Sequence, residues 1–168
     1  TEIYTLSLHD ALPILLREKL AEAVRIHLRS DVPVGAWLSP GIDSSSVVAL
    51  MRRQFSSPIS TYTLTFENRP EFDETAKQRT LDAYPGFDLE NRRVICRDRD
   101  FSLLSKVLWH LENPTTSAIH VLQYLLAQES AKTLKVVLTG EGSDENLGGY
   151  NWYRSEERRV GKECRSRW

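Results

Sequence analysis

The chain has 168 residues, with 22 Lys and Arg, 23 Asp and Glu, and a formal net charge of −1 at pH 7. This balance gives no electrostatic basis for binding nucleic acid or an anionic membrane, and no apolar run approaches the ~20 residues that span a bilayer. Of the two cysteines, Cys164 lies in a terminal tail and Cys96 stands alone, so we expect a reducing, cytoplasmic setting and no disulfide.

The two ends of the chain differ from the part that we expect to fold. Thr1–Ile14 reads as the translation of a sequencing-library adapter, and Arg154–Trp168 as the translation of its reverse complement. Codons for Thr1–Thr5, complemented and read backwards in one frame, encode Cys164–Arg167 and the first base of the Trp168 codon. The alternative is that the first segment is an amphipathic N-terminal piece and the second a basic tail that binds nucleic acid. It has less support, because runs of charged residues usually form a solvated surface. We therefore expect 1–14 and 154–168 to be non-native, and 15–153 to be one partial, truncated domain.

The first half of this core alternates helical and strand patterns. Apolar residues at helical spacing predict a helix over Leu15–Arg29, which the Ser-Asp pair and Pro33 then end. The apolar run Val32–Leu38 predicts a buried strand, and Asp43–Gln54 a helix. Alternating β-branched and aromatic or aliphatic residues over Ile59–Phe66 predict a second strand.

The second half continues the alternation. We predict helices over Glu74–Ala83, Phe101–Leu111 and Ile119–Ser130, a weaker strand over Arg92–Cys96, and a last strand over Lys135–Leu138. Strands that alternate with helices predict an α/β fold, with a mostly parallel sheet and helices on both faces. Ligands of such sheets bind beyond the carboxyl ends of the strands, where the strand order switches.

Two loops rich in Gly, Ser and acidic residues each follow a predicted strand, Ser39–Ser45 after the first and Thr139–Glu145 after the last. A strand that turns into a helix presents free backbone N–H groups and the positive helix end to an anion, and small residues let a phosphate approach. Asp43 and Asp144 would repel a bare polyphosphate, so they favour a bridging Mg²⁺. The loops therefore predict a site for Mg²⁺ and a nucleoside triphosphate.

With these motifs the chain resembles the synthetase domain of the glutamine-dependent asparagine synthetase family over almost all of 15–153. The motifs are Ser30–Gly35 leading into the first loop, Phe72–Glu74, Val136–Glu145 and Gly148–Tyr150. Several ATP pyrophosphatases share the first loop, but the two loops together indicate this one family. The resemblance implies an adenine nucleotide α-hydrolase-like fold of the PP-loop type.

The resemblance also implies an activity. In this family a side-chain carboxylate, normally that of aspartate, attacks the α-phosphorus of ATP; an acyl-adenylate and pyrophosphate form, and ammonia then displaces AMP. The expected cofactors are ATP and Mg²⁺. The full-length parent is expected to carry an amino-terminal glutaminase domain and a carboxy-terminal helical region that supplies a lysine. We expect the fragment alone to be inactive.

The resemblance assigns roles to residues of both loops. The residues that it places on ATP are Trp37 and Leu64 at adenine, Thr139 and Gly140 near the ribose and α-phosphate, and Ser39, Gly41, Asp43, Ser44 and Ser45 at the pyrophosphate. Asp43 and Asp144 would hold Mg²⁺. Glu141 matches the acid that forms or resolves the adenylate, and it could act as a base toward ammonium. Fixed donors and a metal would stabilise the charge on the departing pyrophosphate.

Some residues depart from the family pattern or have simpler interpretations. Pro40 stands where the family usually has Gly, so one N–H is missing and a weaker grip on phosphate is expected. Asp43 could instead be a helix N-cap. Trp37, Trp109 and Tyr124 are most simply core residues, and His110 and His120 packing or surface residues.

Two rival functions stay open at this point. A relative could amidate or cyclise another carboxylate in sugar, peptide or antibiotic tailoring, because the segment Glu112–Ser117 lies where acceptor specificity could be set. A non-catalytic domain that senses ATP or AMP is the other rival. Pro40 favours the sensor slightly, whereas Asp43, Glu141 and Asp144 oppose it.

Overall fold

Four strands form a single parallel sheet among the residues that the computed structural model describes, which are 8–67, 88–115, 117–151 and 153. The strands are β1 (Val34–Trp37), β2 (Ile59–Phe66), β3 (Leu89–Cys96) and β4 (Val136–Leu138). They lie in the order β3-β2-β1-β4, and every neighbouring pair is parallel.

Helices connect the strands and cover the sheet. They are α1 (Leu8–His27), α2 (Ile42–Arg52), α3 (Leu104–Leu111), α4 (Ile119–Ser130) and the short α5 (Ser143–Leu147). A 3₁₀ helix over Asp98–Leu103 leads into α3. In the described part of the chain, no helix is long and apolar enough to cross a membrane.

The sheet carries an apolar core on each face, because successive side chains of a strand point to opposite sides. Ala36 of β1 packs in the core that α1 and α2 cover, with Val24, Val48 and Met51. The next residue, Trp37, packs against the other core, which includes Leu125 and Leu126 of α4. Burying a side chain of this kind stabilises the fold by about 1.5–3 kcal/mol. The predicted α/β fold, with helices on both faces, is confirmed.

The strand order switches direction between β1 and β4. The chain steps from β1 to β2 to β3 toward one edge and then returns to the other side of β1. The register pairs Ala36 with Leu138, so the segments that follow β1 and β4 leave the sheet side by side. The two predicted loops therefore start at adjacent carboxyl ends, at the point where parallel sheets bind ligands.

Several element boundaries differ from the predictions. Helix α1 begins at Leu8 instead of Leu15 and contains Pro13, so one backbone hydrogen bond is missing there. Strand β1 begins only at Val34, since Pro33 has no N–H to donate. Strand β3 begins at Leu89 and pairs with β2 along its full length.

The predicted helix Phe101–Leu111 is wrong in its first part. The Arg97 N–H donates to the Asp100 carboxylate at 2.8 Å, and the Asp100 N–H donates to the Arg97 carbonyl at 2.9 Å. These bonds stabilise a tight turn with i to i+3 spacing, so Phe101 lies in the 3₁₀ helix and the α-helix begins at Leu104. The predicted helix Glu74–Ala83, the element Phe72–Glu74 and the tail 154–168 lie outside the described residues.

Two single residues test the predicted core. The Trp109 side chain is 78% exposed, so its assignment to the core is wrong; Val107 is the residue that α3 buries. Cys96 is buried and free. Burial, together with the nearby Asp100 and Asp98 carboxylates, raises the pKa of its thiol.

Candidate functional site

A cleft of about 880 Å³ lies at the carboxyl ends of β1, β2 and β4, between the two loops and α4. Most of the predicted site residues line it, namely Trp37, Ser39, Asp43, Ser44, Leu64, Thr139, Gly140, Glu141 and Asp144. Gly41 and Ser45 are not among the lining residues. The prediction that both loops meet at one site is therefore met, with Ser44 and Asp144 on the same cleft.

The two loops contact each other at Gly140. A Cβ atom at this position would lie 2.6 Å from the Ser44 backbone nitrogen, 2.9 Å from the Asp43 carbonyl carbon and 3.0 Å from the Asp43 Cβ. Real Cβ atoms do not approach backbone this closely, so only glycine lets the second loop rest on the start of α2. The contact fixes the distance between the acidic residues of the two loops.

The first loop is held in shape by hydrogen bonds between its own serines. The Ser39 N–H donates to Ser44 Oγ at 3.0 Å, Ser44 Oγ donates to the Ser39 carbonyl at 2.9 Å, and the two hydroxyls lie 2.8 Å apart. Ser44 is only 8% exposed. Its hydroxyl therefore joins the end of β1 to the start of α2.

Neighbouring donors of this loop also have partners within it. The Gly41 N–H donates to Ser39 Oγ at 3.3 Å, and Ser45 Oγ donates to the Gly41 carbonyl at 2.7 Å. A phosphate would have to replace these bonds to use Gly41 or Ser45. Ser39 is exposed at the rim and lines the cleft, but its hydroxyl also bonds to Ser44 Oγ, so a phosphate would have to replace that bond too.

Asp43 does not cap α2. The N-cap residue is Gly41, which makes no side-chain capping bond, and Asp43 lies in the first turn of the helix. The N-cap alternative is therefore wrong for Asp43. An acidic side chain in a first turn is stabilised by the positive helix end, and this one lines the cleft.

Asp144 lies across the cleft in α5. Gly142, which precedes this helix, has a left-handed φ of 89°, a conformation that glycine adopts without strain. Gly149 packs against the Asp144 carboxylate, since a Cβ there would lie 1.9 Å from Oδ1. The geometry of two glycines thus fixes where this acid stands.

The carboxylates of Asp43 and Asp144 suit Mg²⁺ only if phosphate oxygens supply further ligands. In the described parts of the chain, no three acidic, His or Cys side chains cluster as ligands for a metal. Asp43 and Asp144 do line one cleft. Protein-bound Mg²⁺ typically uses one or two carboxylates, with waters and substrate phosphates completing the octahedron. The two acids fit that pattern.

The opposite wall of the cleft is apolar and rigid. The Trp37 indole N–H donates to Ser130 Oγ on α4 at 3.3 Å, which fixes the ring. Leu64 on β2 and Leu126 on α4 line the same wall. A wall of this kind suits a flat heterocycle. Trp37 is thus half-buried and belongs to the site as well as to the core.

One residue of α4 that sequence reasoning did not assign to the site contacts Glu141, and a second contacts that residue. The Gln123 side-chain amide nitrogen donates to Glu141 Oε1, and the Gln123 amide oxygen faces His120 Nδ1 at 3.1 Å. Both α4 residues line the cleft, and the expectation of a packing or surface role for His120 stays a prediction. Their helical spacing of three residues places them on one face, but nothing in the sequence says which loop that face meets.

A second acid near Asp144 pairs with a tyrosine. The Tyr150 hydroxyl donates to the Glu145 carboxylate, and both residues line the cleft. This bond, with smaller effects from burial and neighbouring negative charge, raises the pKa of Tyr150 to about 12, and it lowers the pKa of Glu145.

Comparison with known proteins identifies the family of this chain. The sequence profile described as Asparagine synthase matches residues 15–167. The chain belongs to the asparagine synthase family. The resemblance predicted from the two loops is therefore confirmed.

Named relatives of the asparagine synthase family are similar over most of the chain. It is 36% identical to Asparagine synthetase [glutamine-hydrolyzing] 1 of Bacillus subtilis, over 86% of this chain and 22% of that protein. It is also 36% identical to Putative asparagine synthetase [glutamine-hydrolyzing] 2 of Methanocaldococcus jannaschii, over 91% of this chain and 32% of that one. Amidase chry2 of Gibberella zeae is 34% identical over 84% of this chain and 23% of that protein.

The chain thus spans between about a fifth and a third of the length of these relatives. Among solved structures it is similar to an NH3-dependent NAD synthetase from Campylobacter jejuni, with 20% identity and a TM-score of 0.49, covering 82% of this chain and 60% of that one.

Gly140→Ala is expected to push the two loops apart, because the new methyl group would overlap the backbone at Ser44. We expect a loss of about 1–3 kcal/mol in the free energy of unfolding, as for other overpacked sites. Urea denaturation measures it. Gly41→Ala is the matched control, since its Cβ would meet only the Ser39 hydroxyl at 3.2 Å. Equal stabilities for the two variants would contradict the close contact.

The Tyr150–Glu145 pair predicts a pH dependence at high pH. The folded-state pKa of Tyr150, about 12, lies above its ordinary value of 10.0, so its contribution to stability is complete below pH 10 and disappears as the pH rises toward 12. In Glu145→Ala the pKa of Tyr150 should fall toward 10. Ultraviolet titration of tyrosinate, with Tyr150→Phe to assign the signal, measures the shift. An unchanged titration in Glu145→Ala would contradict the pairing.

Proposed function

We propose that this chain is part of an ATP- and Mg²⁺-dependent ligase that activates a carboxylate as its adenylate and then converts it to an amide. The single observation that carries this proposal is the meeting of the two acid-bearing loops at Gly140, on one cleft at the switch point of the sheet. Membership of the asparagine synthase family supports the same reaction class.

Each part of the cleft has a role in this proposal. Trp37 and Leu64 bind adenine through ring and backbone contacts, and Thr139 and Gly140 lie near the ribose and α-phosphate. Ser39, Gly41, Ser44 and Ser45 bind the pyrophosphate when the internal bonds of the loop exchange for bonds to phosphate oxygens. Donors to a charged oxygen stabilise by roughly 1.5–3 kcal/mol each.

Asp43 and Asp144 are proposed to hold Mg²⁺. The metal would neutralise charge on the phosphate oxygens and on the leaving pyrophosphate. Without it, four carboxylates on the cleft, those of Asp43, Glu141, Asp144 and Glu145, would repel a polyphosphate.

Glu141 is proposed as the base of the amination step. The acceptor carboxylate displaces pyrophosphate from the α-phosphorus, and the nitrogen of ammonia then displaces AMP from the acyl carbon. Ammonium must lose a proton before its nitrogen can attack, and Glu141 is placed on the cleft to accept it.

Aspartate is the proposed acceptor, which would make the product asparagine. The support is that relatives at 36% identity are named glutamine-hydrolyzing asparagine synthetases. We further propose that the complete gene product includes a glutaminase domain as the source of ammonia, that 15–153 is its native part in this chain, and that the chain alone does not complete the reaction.

A different carboxylate is the second candidate acceptor. Two relatives, from Gibberella zeae and Penicillium rubens, are named amidases. Among the described residues that line the cleft there is no Lys or Arg, whereas four are acidic. Aspartate has a second carboxylate that this acidic lining would repel, so an acceptor with only the reacting carboxylate would suit the cleft.

The test is pyrophosphate release by the complete gene product with ATP, Mg²⁺, aspartate and ammonia. We expect stoichiometric release with ATP, Mg²⁺ and aspartate, and continued turnover only when ammonia is also present. Release only with another carboxylate would favour the second candidate, and ATP binding without turnover of any acceptor would make the protein a nucleotide sensor.

The metal role of Asp144 is tested by measuring ATP affinity with and without Mg²⁺. Asp144→Asn keeps the shape of the side chain and removes its charge, so Mg²⁺-dependent ATP binding should weaken at least about tenfold, as expected for a lost interaction with a cation. Asp31→Asn, an exposed residue before β1, is the matched control. Unchanged ATP affinity in Asp144→Asn would contradict the metal role.

A further inference from the structure

Glu141 lies on an exposed part of the second loop, yet a residue from a different element holds its carboxylate. Gln123 is half-buried on α4, and its side-chain nitrogen donates to Glu141 Oε1. The backbone of Glu141 makes only a long bond, from its N–H to Thr139 Oγ1 at 3.4 Å. The side-chain bond from α4 is therefore the main contact of Glu141 within the described chain.

The Gln123 amide can donate in only one orientation. Its nitrogen faces the Glu141 carboxylate and its oxygen faces His120 Nδ1 at 3.1 Å. Turning the amide over would set two oxygens against each other, because a carboxylate has no hydrogen to donate. The Glu141 carboxylate therefore sets the amide orientation, and His120 accommodates it as the tautomer that donates from Nδ1 to the Gln123 oxygen.

We infer that Gln123 is the positioning residue that holds Glu141 toward the reacting atoms of the cleft. This inference rests on the proposed function, in which Glu141 is the base. An exposed glutamate has several rotamers, and fixing one before the reaction removes an entropic cost from the proton-transfer step. The bond also joins α4 to the loop after β4. Because Ser130 of the same helix accepts a bond from the Trp37 indole, one helix contacts both the residue proposed to bind adenine and the proposed base.

The test compares Gln123→Met with wild type in the complete gene product. Methionine keeps the length of the side chain but cannot donate, so Glu141 loses its partner. We expect kcat for pyrophosphate release and amide formation to fall about 10- to 100-fold, the effect of losing one hydrogen bond to a charged group. The Kd of Mg²⁺·ATP and the thermal midpoint should change little, because in the described chain no hydrogen bond joins Gln123 to Ser39 or Ser44, the serines of the first loop that line the cleft.

Two further variants make the result specific. Gln128→Met changes the same residue type on the exposed face of the same helix and should leave kcat unchanged. Gln123→Glu keeps the shape of the side chain and replaces the donor with a carboxylate, so its kcat should fall at least as far as that of Gln123→Met.

The outcomes separate the inference from the function on which it rests. A kcat within twofold of wild type in both Gln123 variants would overturn the positioning role. A kcat loss accompanied by an equal loss of ATP affinity and a lower thermal midpoint would also overturn it, since that pattern marks a structural residue. If wild type itself releases no pyrophosphate, the proposed function fails, and the role of Gln123 fails with it.

Discussion

The contact between Gly140 and the backbone at Asp43 and Ser44 is the constraint on which the site depends. It exists because β1 and β4 are neighbours in a parallel sheet whose order switches there. Any side chain at residue 140 would separate the loops, and the two acids that face the cleft would move apart with them. The strand order thus determines where the site lies, and the lack of a Cβ atom at Gly140 determines how closely the two loops approach.

The first loop is largely formed before any ligand arrives. The buried Ser44 hydroxyl joins the end of β1 to the first turn of α2, so part of the ordering cost of binding is already met by folding. The same bonds occupy donors that a phosphate would use, and Pro40 contributes no N–H. If Asp43 and Asp144 hold Mg²⁺ as proposed, affinity for a triphosphate would depend strongly on that metal and less on backbone donors.

The fold and much of the site were predictable from the sequence, for local reasons. Val34–Trp37 and Val136–Leu138 are short apolar runs followed by glycine-rich, acidic turns, and parallel strands bring such turns to one edge. The start of the 3₁₀ helix at Asp98 was missed because it depends on one side-chain bond from Asp100. The exposure of Trp109 was missed because residue type does not reveal which face of α3 packs.

The role of Gln123 could not be predicted for a different reason. Its contact with Glu141 joins residues 18 apart in the sequence, across the turn from α4 to β4, and depends on how far the helix is rotated about its axis. Periodicity defines the faces of a helix but not the partner of each face. Similarly, the N-cap of α2 depends on where its first turn closes, which is at Gly41 and not at Asp43.

The most direct measurement of the central claim is hydrogen–deuterium exchange of the complete gene product with and without Mg²⁺·ATP. If both loops bind one metal-bound triphosphate, backbone amides of 39–45 and of 139–145 should become protected together, and EDTA should abolish both effects. Protection of one loop alone, or of neither, would contradict a shared site.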